Sequence, residues 1–143
     1  MSGVYARNRT PTNVDFINTV WELRLYTLKI CVKFPQRYKQ WITDYIVRFS
    51  ALAHIHAYEA NRIYPKTKDE AQRRKEELTQ AYNALDQMYA QIDLAYQTFQ
   101  FDGATNGKTN AEIIKTWLPL VSKSQKLIKG VMESDRKRFK NLP

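Results

Sequence analysis

Residues 78–99 read LTQAYNALDQMYAQIDLAYQTF. Large apolar side chains recur through this stretch at alternating intervals of four and three: Leu78, Tyr82, Leu85, Tyr89, Ile92, Tyr96 and Phe99. Residues spaced in this way share one face of a helix, so the pattern predicts a bundle or coiled-coil seam within a helix covering about residues 68–101. A buried tyrosine needs a partner for its hydroxyl, which places the seam near a polar boundary. The run from Lys68 to Glu77 that precedes it is strongly charged and is expected to form solvated helical turns without a function of their own.

Working outward, chain breakers at Phe34-Pro35, at Tyr64-Pro65-Lys66-Thr67 and at Asp102-Gly103-Ala104-Thr105-Asn106-Gly107 separate this helix from three others. The first spans about residues 14–33 and is apolar nearly all round, with Ile17, Val20, Trp21, Leu28 and Cys31 on one face and Leu23, Ile30 and Phe34 on another. Such a helix is either central in its bundle or covered by a second subunit. The second spans about residues 36–63 and aligns Tyr38, Trp41, Ile42, Tyr45, Phe49, Leu52, Ala53, His56, Ala60 and Ile63 at helical spacing. Its far side mixes Val47, Ile55 and Tyr58 with Arg48, His54 and Arg62, as a contact surface would. The fourth opens on a capping box, Thr109-x-x-Glu112, and turns Ile113, Ile114, Trp117, Val121, Ile128, Val131 and Met132 to one side. Pro119 is expected to bend this helix or to mark its true start.

Four amphipathic segments with short connections imply an all-α fold, an antiparallel up-down-up-down four-helix bundle. The 143 residues, 43% of them hydrophobic, suffice for one core and one domain over 1–143, with residues 1–13 as a flexible arm. No stretch reaches the ~20 apolar residues of a membrane span, and the opening MSGVYARNRTPTN lacks the apolar centre of a signal peptide. With a single cysteine and no disulfide to form, a cytoplasmic protein that does not enter a membrane is expected.

The formal net charge is +9, and it is unevenly spread. Residues 1–65 carry nine Lys/Arg against four Asp/Glu, residues 66–108 six against seven, and residues 109–143 eight against three. A surplus confined to particular helices leaves a positive face and predicts an anionic partner, RNA or DNA before others. On helix 4, Lys115, Lys126, Lys129, Lys137 and Lys140 fall opposite the apolar face with Glu133 the only acid among them. Arg37, Lys39 and Arg48 form a second basic group around the Phe-Pro turn and helix 2. The aromatics follow core periodicity, so stacking on bases is the lesser use expected of them. Without a base-reading motif, binding should be electrostatic and little selective.

Catalytic signatures are missing from the sequence. It has no phosphate-cradling glycine loop, no nucleophile elbow and no Glu-x-x-His pairs of a di-metal bundle. His54-x-His56-x-x-Glu59 runs in the wrong order and splits its histidines between faces, and His56 reads as a hydrogen-bonded core residue. Cys31 lies on an apolar face and reads as a packed, inert thiol. The expectation is therefore a protein that is not an enzyme and has no metal and no cofactor. Arg24 falls among Val20, Trp21, Leu28 and Cys31, so it either pairs with an acid on a neighbouring helix or faces a subunit interface or pore. Arg24, Ile30, Val47, Ile55 and Tyr58 are the candidate contacts for an oligomer or other partner.

The stretch from Ile17 to Tyr38 (INTVWELRLYTLKICVKFPQRY), followed by a long second helix ending Ala60-Asn61-Arg62-Ile63-Tyr64-Pro65, resembles the accessory variability determinant proteins of diversity-generating retroelements. These small basic four-helix bundles look related to the ribosomal-RNA intervening-sequence bundle proteins, which share a first helix closing on a Phe-Pro turn with basic residues beyond it. The resemblance covers about the first 65 residues. It implies a homopentamer without enzymatic activity that binds a reverse transcriptase, binds RNA and DNA through its basic surface, and serves mutagenic retrohoming. Phe34-Pro35 with Arg37 carries over residue by residue. A second expectation, independent of that family, is an oligomeric helical interaction module for an acidic protein.

Overall fold

The computed structural model describes residues 11–101 and 108–143 and shows four helices: α1 Pro11–Cys31, α2 Asp44–Arg62, α3 Lys68–Phe99 and α4 Asn110–Arg138. A 3₁₀ turn (Gln36–Tyr38) and a π turn (Lys39–Thr43) lead into α2. The helix expected from about residue 36 is therefore regular only from Asp44. The helices form a closed ring in which α1 packs on α2 and α4, and α3 packs on α2 and α4. Two contacts fix the antiparallel sense between ends. Trp117 Nε1 near the start of α4 donates to Thr27 Oγ1 near the end of α1 at 2.9 Å. Arg74 near the start of α3 reaches Asp135 near the end of α4 at 2.6 Å. The result is the all-α four-helix bundle that the sequence predicts.

The expected arm over residues 1–13 lies outside the described residues as far as Thr10, and its last three residues belong to α1. The glycine-containing turn at Asp102–Gly107 also lies outside them. Among the described residues no helix is long and apolar enough to cross a membrane.

Helix ends are set locally. Thr109 Oγ1 accepts from Glu112 N–H at 3.1 Å, the predicted cap of α4. Thr67 caps α3 in the same manner, and Glu70 Oε1 accepts from the N–H of Lys66, one residue before the cap, at 2.9 Å. Pro119 neither starts nor ends α4, which runs through it. The proline is solvent-exposed, so the carbonyl deprived of its donor four residues earlier faces water and needs no protein partner. At the close of α3, Gln100 and Phe101 both take the left-handed conformation. That strain delivers the fully buried Phe101 ring into an aromatic plug with Phe34 (5.8 Å, stacked) and Trp117 (5.6 Å).

The seam of α3 shares Leu78, Leu85, Ile92 and Phe99 with the predicted one, but the alternating positions differ. Ala81, Met88 and Ala95 are buried where Tyr82, Tyr89 and Tyr96 were expected. The buried stripe of α2 is likewise Ile46, Ser50, Ala53, Ala57 and Ala60, rotated away from Trp41 and Tyr45, which are exposed. One physical reason covers both corrections. Small side chains let two helix backbones approach closely, and a large aromatic carrying a hydroxyl or indole N–H gains more at the rim, where water satisfies its polar atom.

Candidate nucleic-acid interface

Four of the five predicted lysines, Lys115, Lys126, Lys129 and Lys137, stand exposed on α4 where helical phase puts them, opposite buried Ile113, Trp117, Val121, Ser124, Ile128 and Val131. The fifth, Lys140, is exposed in the turn just beyond the helix end at Arg138. Glu133, the acid among them, is engaged by Arg136 at 2.5 Å, and that guanidinium holds its carboxyl below the usual carboxylate range. Lys129 leans over the Tyr82 ring of α3 with Nζ 5.7 Å from its centroid. None of the five lysines forms an ion pair among the described residues.

Beside this row, α3 and α4 enclose a groove of about 640 Å³. Its floor is apolar, from Ala71, Leu78, Tyr82, Met132 and Phe139, and its rim carries Lys68, Lys75, Lys129, Arg136 and Lys140 with one exposed acid, Glu133. Lys68 and Lys75 come from the charged run that was expected to be inert. The available signal was their seven-residue spacing with Tyr82, which puts all three on one face.

The same run holds the strongest correction. Arg74 is only 5% exposed. Its guanidinium grips Asp135 through two nitrogens (2.6 and 3.3 Å) and donates to the carbonyls of Ala60 and Ile63 (3.0 and 3.1 Å) at the end of α2. Asp135 also accepts from Arg138 at 2.9 Å. This cluster joins three helices beneath the basic row, and a buried charge so satisfied is expensive to disturb.

The second predicted basic group does not join the first. Arg37, Lys39 and Arg48 lie at the α2 corner of the ring, diagonally across from α4. Lys39 is held by Asp44 at 3.1 Å, while Arg37 lies over the Tyr38 ring at 4.9 Å and Arg48 is exposed.

The predicted contact residues for a partner separate as well. Ile30 is 8% exposed and belongs to the core, because its helical phase matches Leu23 and Phe34. Arg24, Val47, Ile55 and Tyr58 do gather on the α1–α2 face. Trp21 (51% exposed), Leu25, Leu28 and Val32 (69%) complete it from α1. Trp21 and Leu28 thus face outward, apart from Val20 and Cys31 with which they were grouped, and with Leu25 and Val32 they form a second 4-3-4 stripe on the same helix. Arg24 meets no acid among the described residues. Its Nη1 donates to His54 Nδ1 at 3.0 Å, which fixes the Nε2–H tautomer, and the Trp21 and His54 rings lie 5.4 Å apart.

Other titratable groups have structural partners. His56 is half-buried and bonded to Glu77 at 2.6 Å, and burial pushes the Cys31 thiol up, far from reactivity. Among the described residues no three His, Cys, Asp or Glu side chains are grouped to hold a metal ion. The sequence matches no protein-family profile, no curated protein and no solved structure.

Proposed function

We propose that this chain is a non-enzymatic accessory protein of a diversity-generating retroelement. In this reading it is a cytoplasmic homo-oligomer, a pentamer by family resemblance. It binds template RNA or its cDNA on basic helix faces and holds it near a reverse transcriptase during mutagenic retrohoming. The observation that carries the reading is the row of five exposed lysines on α4 and the turn after it, free of ion pairs among the described residues and bordered by one acid already neutralised by Arg136. Each lysine that meets a phosphate releases counterions, and ~6–10 such contacts lose roughly three to five decades of affinity between about 50 and 200 mM salt. The exposed stripe Trp21, Leu25, Leu28 and Val32 supports the oligomer, since a contiguous apolar face on a small helical protein calls for a cover. The retroelement itself rests on the likeness of residues 17–38 and 60–65 to that family.

The test is retention on RNA and on DNA as salt is raised. Binding at low salt that disappears at moderate salt supports the proposal, and no binding of either at low salt ends it. Lys126→Glu combined with Lys129→Glu should weaken RNA binding while the helical circular dichroism is unchanged. Wild-type affinity in that variant would remove α4 from the site.

The α3–α4 groove favours a second reading, an interaction module for an acidic protein partner. Its apolar floor has no use for a phosphate backbone but fits an amphipathic segment whose acidic side meets Lys68, Lys75 and Lys140. Met132→Gln would weaken binding of such a partner by removing apolar floor and, adding no charge, leave binding to nucleic acid along the outer row unchanged.

A further inference from the structure

We infer that the α2 corner carries a separate stacking platform for single-stranded nucleic acid, built on Trp41 and Tyr45 between Arg37 and Arg48. The inference rests on the nucleic-acid reading above and adds to it a location and a strand preference. Trp41 is 70% exposed, more than Trp21, and Trp117 is fully buried, so a large indole surface stands in water here. Its neighbours in the adjoining cavity are polar or charged. The cavity it borders, about 370 Å³, is lined otherwise by Gln36, Arg37, Lys39, Gln40 and Asp44. An apolar subunit contact would surround the indole with further apolar side chains, as on the α1–α2 face. Amides and cations around an aromatic plane are the furniture of a base-binding site, where the ring stacks and the rim meets phosphate and base edges.

The elements next to Trp41 hold the platform in shape. Trp41 sits in the π turn Lys39–Thr43, which is anchored by buried Ile42 and Thr43, and single π turns are frequent at functional sites. Tyr45 follows one turn later, 47% exposed, its ring stacked on half-buried Phe49 at 6.5 Å. Arg37 lies on Tyr38, which is itself stacked on buried Phe99 at 4.8 Å, so the guanidinium is held at the surface by a column of rings. The acids of this corner are already engaged, Asp44 by Lys39 and Glu59 by Arg62. Arg37 and Arg48 have no ion pair among the described residues and remain available to phosphates.

Geometry selects the strand. Trp41 stands in the π turn and Tyr45 in the first turn of α2, so the two rings are separate stacking surfaces along the chain. Bases in a duplex are spaced at roughly 3.4 Å and are already stacked on each other, so neither ring has a face to meet. A single strand can separate its bases to reach both rings.

The experiment compares an oligouridine single strand with an RNA hairpin in a Trp21→Phe background, where Trp41 is the exposed emitter and Trp117 the buried one. Oligouridine should quench the indole emission and the hairpin stem should not. Trp41→Ala should lose about tenfold or more in affinity for oligouridine, with little change for the hairpin, and Trp41→Phe should recover part of it. The side chain is exposed, so circular dichroism should show the fold unchanged in both variants. Unchanged oligouridine affinity and absent quenching, with salt-sensitive binding to the α4 row intact, would overturn the platform and leave the nucleic-acid reading standing. No binding of either RNA by the wild type would overturn both. A fall in mass by light scattering in Trp41→Ala would assign the indole to a subunit contact and overturn the platform.

Discussion

The α1–α2 face and the α3–α4 face lie on opposite sides of one ring and are built to the same spacing, yet they present different chemistry. On α1–α2 the outward stripe is Trp21, Leu25, Leu28 and Val32, joined by Ile55 and Tyr58, and its one central charge, Arg24, is bound to a neutral imidazole. On α3–α4 the apolar side chains line a groove whose charged lining is mainly cationic. The first face loses little by being covered with another apolar surface. The second would lose the hydration of several cations unless the cover is anionic. Helix periodicity decides where the faces are, and the charges at the rim decide what each can bind.

The difference should be largest in how each face is anchored. Arg74→Ala leaves buried Asp135 with Arg138 as its remaining cation and takes the donor from the Ile63 carbonyl, while the Ala60 carbonyl keeps the Ile63 N–H, and should cost about 3 kcal/mol in urea unfolding. Arg24→Ala on the opposite face removes a half-exposed hydrogen bond to a neutral acceptor and should cost about 1 kcal/mol. Equal losses would show that the Arg74 cluster is not the special anchor of the basic face. Next in size is assembly. Leu28→Glu with Ile55→Glu should lower the mass seen by light scattering to that of one chain while helicity stays constant. A wild-type protein that is already a monomer at micromolar concentration would break the link between the apolar face and oligomerisation.

Number and order of the helices were legible in the sequence because breakers and apolar periodicity act locally, whereas the 3₁₀ and π turns that delay the second helix to Asp44 were not. The lysine row of α4 was legible for the same reason, since it depends only on phase along one helix. What the sequence concealed depends on neighbours. Arg74 looks like any cation of a solvated run until Asp135, sixty-one residues later, is placed against it. The seams were misjudged because apolarity was weighted by size, whereas Ala53, Ala57, Ala81 and Ala84 are the residues that let α2 and α3 pack together. Trp41 and Tyr45 were consequently assigned inward and are exposed. Tyr82 and Tyr96 come out half-buried, close to the polar boundary that their hydroxyls implied.

The smallest expected effect is a pH dependence confined to the apolar face. Burial, and then the charge of Arg24, lower the His54 pKa from its ordinary 6.5. As pH falls below that value the unfolded chain takes up a proton before the folded one does, so stability declines through the window between the two pKa values. Above 6.5 the imidazole is neutral in both states, and below the folded-state pKa it is charged in both, so the slope is limited to that window. His54→Gln keeps an acceptor for Arg24 but cannot titrate, and the difference between its stability profile and that of the wild type should appear only there. Parallel profiles would show that the Arg24–His54 bond does not couple to folding. A proton on His54 also places a second cation beside Arg24 in the middle of the stripe. If that stripe is the subunit contact, mild acid should therefore dissociate the wild-type oligomer while the glutamine variant stays assembled. The α3–α4 row contains no histidine, so its RNA binding should not follow the same curve.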